Sequence, residues 1–434
     1  MLRFIVFIIF ISLFSPAFAA QKVSLKDGNH YLALPSDTLP MVVMELSFPN
    51  RGSITDPSDL AGRAAFGAKM LMEGAGELTA FDYLKKLEDR AIEVSIRAGR
   101  EETVIAIQCL SEHLEEGLKL VQLALESPQF SAGSIAKIRR ESLIALKERS
   151  QSPGWLAARR FDELAFAGHA LSQPHLGTEE SLEAMKHADL MAWHQQLLSG
   201  KMQVSIAGKY DEDMLSERLL AIYGLLKSDS SNSAPEFAEF QLPEPSVNIM
   251  KQEVPQTVVL FGMKGLKRSD PDYYAAYVMN HILGGGGLTS RLSSEIRQEK
   301  GLAYYAGSYL ATGRYSSLLM GNFATRNDAA HEAREVAQAV LQNFAQKGAT
   351  KEEVQNAIDY ITGSFPLNLD GLGKQVGYLS LIQRYGLSLD YLEKRNEYFR
   401  AVTLEDVNRV AAKILAQTPL IVMVGEPKET LKND

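Results

Sequence analysis

The chain is short of several things, and each shortage narrows what it can be. Among 434 residues there is a single cysteine, Cys109, so no internal disulfide and no Cys-x-x-Cys metal site can form. Cys109 ends the apolar run Val104-Ile105-Ala106-Ile107-Gln108, which reads as a strand holding a buried, inert thiol. Basic residues are outnumbered, 45 Lys and Arg against 53 Asp and Glu. With no basic patch and no aromatic-basic interleaving, nucleic acid is an unsuited partner. Long apolar runs are also missing, with one exception at the start. Met1-Leu2-Arg3 is followed by an almost wholly apolar stretch from Phe4 to Phe14, then by Ser15-Pro16-Ala17-Phe18-Ala19-Ala20. A basic start, a short apolar core and an Ala-x-Ala end make a secretory signal peptide over residues 1–19, cut after Ala19 or Ala20. The run is shorter than the ~20 residues a membrane span needs. The expected product is periplasmic or secreted, with no stable membrane span. Loss of Arg3 takes the formal charge from −8 to −9.

What remains is ordinary for a folded globular chain: 46% hydrophobic and 23% charged residues. A prior of roughly 150 residues per domain suggests two to three domains. The chain reads as two copies of one unit. Met41-Val42-Val43-Met44 opens the first and Thr257-Val258-Val259-Leu260 the second. Val204-Ser205-Ile206-Ala207-Gly208 closes the first and Ile421-Val422-Met423-Val424-Gly425 the second. Similar helical phrases precede both closing strands, which argues for tandem duplication. Between the copies, Ser228 to Pro235 and Leu242-Pro243-Glu244-Pro245 are too polar and Pro-rich to bury a core. The expected division is 21–227, a linker at 228–247, and 248–434.

Within the first copy, periodicity predicts helices at 61–73, 80–90, 112–126 and 134–149, the last ending near Pro153, with strands at 93–97 and 103–110. In the second it predicts helices at 270–283, 290–300 and 329–346, with Pro271 in the first turn of its helix. Strands are expected at 302–310 and 317–323. Helices mixed with consecutive strand pairs indicate an α+β class with a mixed, mainly antiparallel sheet in each copy.

Two segments carry chemistry. Glu295-Ile296-Arg297-Gln298-Glu299-Lys300-Gly301-Leu302-Ala303-Tyr304 runs from a helix, stopped by Gly301, into a strand. Such a junction can aim Arg297 and Tyr304 at one cavity, whereas Tyr305, on the opposite strand face, is expected in the core. The segment Gly62-Arg63-Ala64-Ala65-Phe66-Gly67-Ala68-Lys69-Met70-Leu71 follows Asp59-Leu60-Ala61 and precedes Met72-Glu73-Gly74. Together with Leu176-Gly177-Thr178-Glu179-Glu180-Ser181 and the duplication, these phrases resemble the M16 (pitrilysin/insulinase-like) zinc peptidases over nearly the whole chain.

The resemblance implies a particular departure. The family's His-x-x-Glu-His motif falls on Ala65, Ala68 and Lys69, and its distant Glu ligand falls on Ala145, within about one residue. An ammonium in a ligand position repels a dication. No cofactor is therefore expected in this chain. By the same resemblance Tyr304 stabilises an oxyanion and Arg297 positions the peptide. They would act in trans, with zinc held by an M16 partner subunit, as in two-chain bacterial M16 peptidases. The implied function is a non-catalytic, substrate-binding subunit acting on peptides or unfolded segments. The alternative is a peptide-binding or scaffold protein outside proteolysis.

The run Gly284-Gly285-Gly286-Gly287 lacks the Gly-Lys-Ser/Thr of a nucleotide loop. It resembles the Gly-rich substrate loop of the processing peptidase alpha subunit and reads equally as a helix cap. Of eight His residues, His169 and His175 share one loop, while His194 and His281 are isolated and expected on helix faces or in the core.

Overall fold

A computed structural model describes residues 19–227 and 240–428. The signal segment 1–18 and most of the expected linker lie outside the described residues. The first half runs β1 (Gln21–Ser24), β2 (His30–Pro35), β3 (Met41–Pro49) and α1 (Arg63–Met70). A short hairpin, β4 (Gly74–Ala75) and β5 (Leu78–Thr79), precedes α2 (Ala80–Glu88). Then come β6 (Glu93–Ala98), β7 (Glu102–Leu110), α3 (Leu114–Glu126), α4 (Ala132–Arg149) and α5 (Pro153–Ala165). The half closes with α6 (Glu179–Ala184), α7 (His187–Leu198), β8 (Gln203–Gly208) and α8 (Glu212–Tyr223).

The second half repeats this order. It comprises β9 (Val247–Lys251), β10 (Gln256–Lys264), α9 (Tyr273–Asn280), the short α10 (Arg291–Ser293), β11 (Ala303–Thr312) and β12 (Ser317–Arg326). Next are α11 (Ala330–Lys347), α12 (Lys351–Gly363), α13 (Leu372–Tyr385), α14 (Tyr391–Arg400), α15 (Leu404–Leu415) and β13 (Leu420–Gly425). The first sheet has the order β1-β2-β8-β3-β7-β6 and the second β11-β12-β10-β13-β9. All neighbours are antiparallel except β2/β8 and β9/β13, which occupy equivalent places. The duplication is thus visible in five strands of each sheet, β2-β8-β3-β7-β6 matching β9-β13-β10-β12-β11, with β1 an addition at the first sheet's edge.

One face of each sheet packs on helices of its own half. The other face receives a helix from the opposite half. Ala157, Phe161 and Ala165 of α5 lie on Leu260, Met320, Val422 and Val424 of the second sheet. Val376, Leu379 and Ile382 of α13 lie on Leu32, Leu34, Val43 and Ala207 of the first. Burying both sheet faces in this way ties the halves together through apolar area, the dominant favourable term in packing.

Several boundaries differ from expectation. Pro153 does more than end α4: it sits at the first turn of α5, capped by Ser152, where its missing N–H costs nothing. Pro271 precedes its helix, whose N-cap is Asp272. The helix expected at 290–300 is a single α turn that widens into π-helical turns over Ser294–Glu299. That expected at 270–283 likewise gives way to a π-helical stretch, His281–Gly285. Val247, placed in the linker, begins β9.

Candidate functional site

The first candidate region is α1. Asp56 lies fully buried at its N-terminus and accepts from the Ala64 amide at 3.1 Å, with Arg63 Nε 3.8 Å away. Burial pushes this carboxyl up to about 7, against the pull of Arg63 and of the backbone amides. Two of the recurring sequence phrases meet here: Ser181 Oγ donates to Ala61 O at 2.8 Å while completing a capping box with Thr178. Gly67 faces the Trp193 ring so closely that a Cβ would overlap it. A glycine inside a helix, disfavoured by about 1 kcal/mol against alanine, is thereby explained by packing against α7.

Ala65 is half-buried and Ala68 buried on this helix. Lys69 Nζ donates to Ser142 Oγ on α4 at 3.0 Å. Ala145 is three residues further along α4, on the same helical face. The structure therefore brings α4 against the last turn of α1, with Ser142 in contact with Lys69 and Ala145 less than a turn away. Desolvation lowers the Lys69 ammonium, with Glu141 opposing and Arg149 adding to the shift. The residues present do not fit a zinc ion. Three methyl side chains offer no lone pair, and the fourth position is a protonated donor. Among the described residues no group of three His, Cys, Asp or Glu is placed to hold a metal.

The histidines are engaged in structure. His169 Nδ1 accepts from the Leu171 amide at 3.0 Å. His194 is buried with Nε2 2.7 Å from Leu125 O, and His281 stacks on Tyr360 with ring centroids 5.1 Å apart. Arg100, Arg149 and Arg159 surround His175, and burial together with these cations holds its imidazole down to about 4.

The second region is the junction carrying Arg297. Ile296 is fully buried and anchors the π-helical turns. Lys300 N bonds to Glu295 O, and Leu302 N to Ile296 O, around Gly301 at φ +60°. Past that turn the Arg297 guanidinium sits 4.7 Å from the centre of the Tyr304 ring, a cation–π contact. Tyr304 is 85% exposed. No described residue bonds to its hydroxyl. Tyr305 departs from the expected core position and is 56% exposed. The cause is a bulge: Ala303 pairs with Thr325, but the next pair is Ala306 with Phe323. Three steps on β11 match two on β12, so alternation fails at both tyrosines.

The glycine run divides. Gly284 is pressed against Gly307 and Ser308 of β11, where a Cβ would strike backbone. Gly286 lies against His281, and Gly285 and Gly287 are exposed. Gly287 has φ +65° and open space around it, leading to an exposed Leu288. Ser142, Trp193 and the bulge escaped sequence reasoning. Only Gly67, a glycine inside a helical pattern, hinted at one of them.

Comparison with known proteins agrees with this geometry. The insulinase (peptidase family M16) description matches residues 34–179, and the peptidase M16 inactive domain matches residues 184–361. The chain is 26% identical over 375 residues to a non-peptidase homolog, YmxG of Helicobacter pylori, covering 85% of each chain. It is 24% identical over 380 residues to YmxG of Bacillus subtilis, an uncharacterized zinc protease, covering 86% of this chain and 90% of that one. The crystal structure of a peptidase M16 inactive domain from Pseudomonas fluorescens superposes with a TM-score of 0.87 and 25% identity, over 95% of this chain and 99% of that one. The periplasmic protease PqqL of Escherichia coli shares the fold with a TM-score of 0.77 at 18% identity, over 94% of this chain but 46% of its own. On the strength of both domain matches and this fold, the chain belongs to the M16 peptidase family, as two tandem M16 domains related to its non-peptidase members.

Proposed function

We propose that this chain is the substrate-positioning, non-catalytic subunit of an exported two-chain M16 peptidase acting on peptides or unfolded segments. The observation that carries the reading is the pairing of an exposed Tyr304, held by Arg297, with a helix α1 that has no metal-ligating side chain. A phenol aimed at solvent can donate to an oxyanion, an interaction worth about 10²–10³ in rate at other such sites. The guanidinium can orient a peptide carbonyl and the tyrosine itself. Neither group polarises a carbonyl as a metal does, so the zinc and its activated water belong to an M16 partner subunit. The PqqL comparison supports such a complement, because this chain matches only 46% of that protein's length.

The test mixes the purified chain with a zinc-bearing M16 chain of the same organism and follows peptide cleavage and bound zinc. Cleavage confined to the mixture, with about one zinc per pair, is the expected result. Stoichiometric zinc and cleavage by the lone chain would overturn it. The kinship with a non-peptidase homolog favours a second reading, a peptide-binding scaffold. Unchanged cleavage by an assembled complex carrying Arg297→Ala and Tyr304→Phe would select it.

A further inference from the structure

The two halves meet around a cavity of about 470 Å³. Duplicated parts face each other across it. The β6–β7 turn at Gly99–Glu101 lies opposite the β11–β12 turn at Gly313–Ser316, and the end of α5 lies opposite the end of α13. Glu101 holds the turns together by accepting from the Arg314 amide at 2.9 Å and 3.0 Å. The floor is apolar, made by Phe161, Leu260, Leu318 and Met320. The rim is charged. Arg100 pairs with Asp162, and Arg384 pairs with Glu102 across the two halves.

These rim groups have bonding capacity left over. Arg384 keeps 36% of its side chain exposed at this rim beside its bond to Glu102. Asp162 uses only Oδ2 toward Arg100. A guanidinium carries five N–H donors, of which Glu102 takes only part, and a free carboxylate oxygen accepts from a donor. The rim thus offers donors from α13, an acceptor from α5, and an apolar floor. A polyanion such as a nucleotide is disfavoured, because Glu101, Glu102 and Asp162 outnumber the two lining arginines. A wholly apolar ligand would bury the charged rim without compensation.

We propose that this cavity binds a short zwitterionic peptide, of dipeptide size, bearing an apolar side chain. Its carboxylate meets Arg384, its ammonium meets Asp162, and its side chain lies on Phe161 and Leu260. The volume falls within the roughly 300–1,000 Å³ usual for small-ligand sites. All of these groups come from one chain, so the site stands independently of the zinc-bearing partner.

Isothermal titration of the purified chain with Leu-Phe tests this directly, with N-acetyl-Leu-Phe-amide as the control. Saturable one-to-one binding of Leu-Phe is expected, weakened at least about tenfold when both ends are blocked. Ala158→Trp fills the cavity from an exposed helical position while removing no bond, and it should abolish binding without lowering the melting temperature. A double variant, Arg384→Met with Glu102→Gln, removes the carboxylate donor without leaving a lone charge, and should weaken binding at least about tenfold. No saturable binding by the folded wild type would overturn the proposal. So would equal affinity for the blocked peptide, or undiminished binding by folded Ala158→Trp.

Discussion

The duplicated halves carry equivalent elements and have treated them differently. In the first half, α1 is a regular helix in which Ala65 and Ala68 are small and the exposed Lys69 is bonded to Ser142. In the second, the elements around Arg297 are irregular: two π-helical stretches, a bulge and two exposed tyrosines. Regular packing is what a helix relaxes to when no chemistry constrains it. Irregular backbone and solvent-facing aromatics cost stability, and such features persist where other interactions hold them in place, often at functional sites. The contrast is between a packed helix in one half and an exposed, irregular junction in the other.

The strongest way to break this comparison is to restore the metal. Ala65→His, Ala68→Glu, Lys69→His and Ala145→Glu together should bind about one zinc per chain, measured by elemental analysis, with none expected on the wild type. A folded quadruple variant without zinc would refute the placement of Ala145. Next, Tyr304→Phe should reduce cleavage by the assembled pair about 10²–10³-fold and leave the melting temperature unchanged, because the side chain is exposed. An equal loss from Tyr305→Phe would show that the bulge presents either ring.

A third test concerns the first half alone. His175 is held down to about 4, whereas the unfolded chain protonates near 6.5. Above 6.5 both states are neutral. Below it the unfolded state takes the proton first, so the His175 contribution to stability falls between pH 6.5 and pH 4, by up to about 3 kcal/mol, while the raised Asp56 carboxyl contributes in the opposite direction over the same range. Urea titrations across that range should show this loss diminished in His175→Gln. The smallest effects separate the glycines of the second half. Gly284→Ala should cost about 1–3 kcal/mol through backbone overlap with β11. Gly287→Ala, in open space, should cost about 1 kcal/mol for its positive φ alone. Equal melting temperatures for the two would remove the distinction between a packed and a free glycine.

Much of the architecture was legible. Thr103 to Leu110 was legible because a half-buried strand leaves a period of two, and the paired closing runs at Val204 and Ile421 because strands buried on both faces read as continuous apolar runs. The expected helix at 134–149 extends only two residues further, to its cap at Ser131. The helix α5 was missed because Pro153 signals a stop as readily as a start, and β1 and β9 are too short to stand out. Tyr305 was misplaced because a bulge adds a residue that no periodicity announces. In the candidate site, the residue types at 65, 68 and 69 were plain to read. Their surroundings were not, since Ser142 reaches Lys69 only through the packing of α4 on α1.

The sequence by itself determined which chemistry is missing: alanine carries no lone pair and lysine carries a charge of the wrong sign, whatever the fold around them. It also determined that two similar units follow one another, since each repeats its own hydrophobic pattern. Only the tertiary structure decided that the halves exchange α5 and α13 across their sheets, that Arg297 stacks on Tyr304, and that a charged cavity opens between the hairpin turns. The helix exchange and the cavity depend on contacts between residues far apart in the chain, and the Arg297 contact depends on a bulge and π-helical turns, neither of which local pattern encodes.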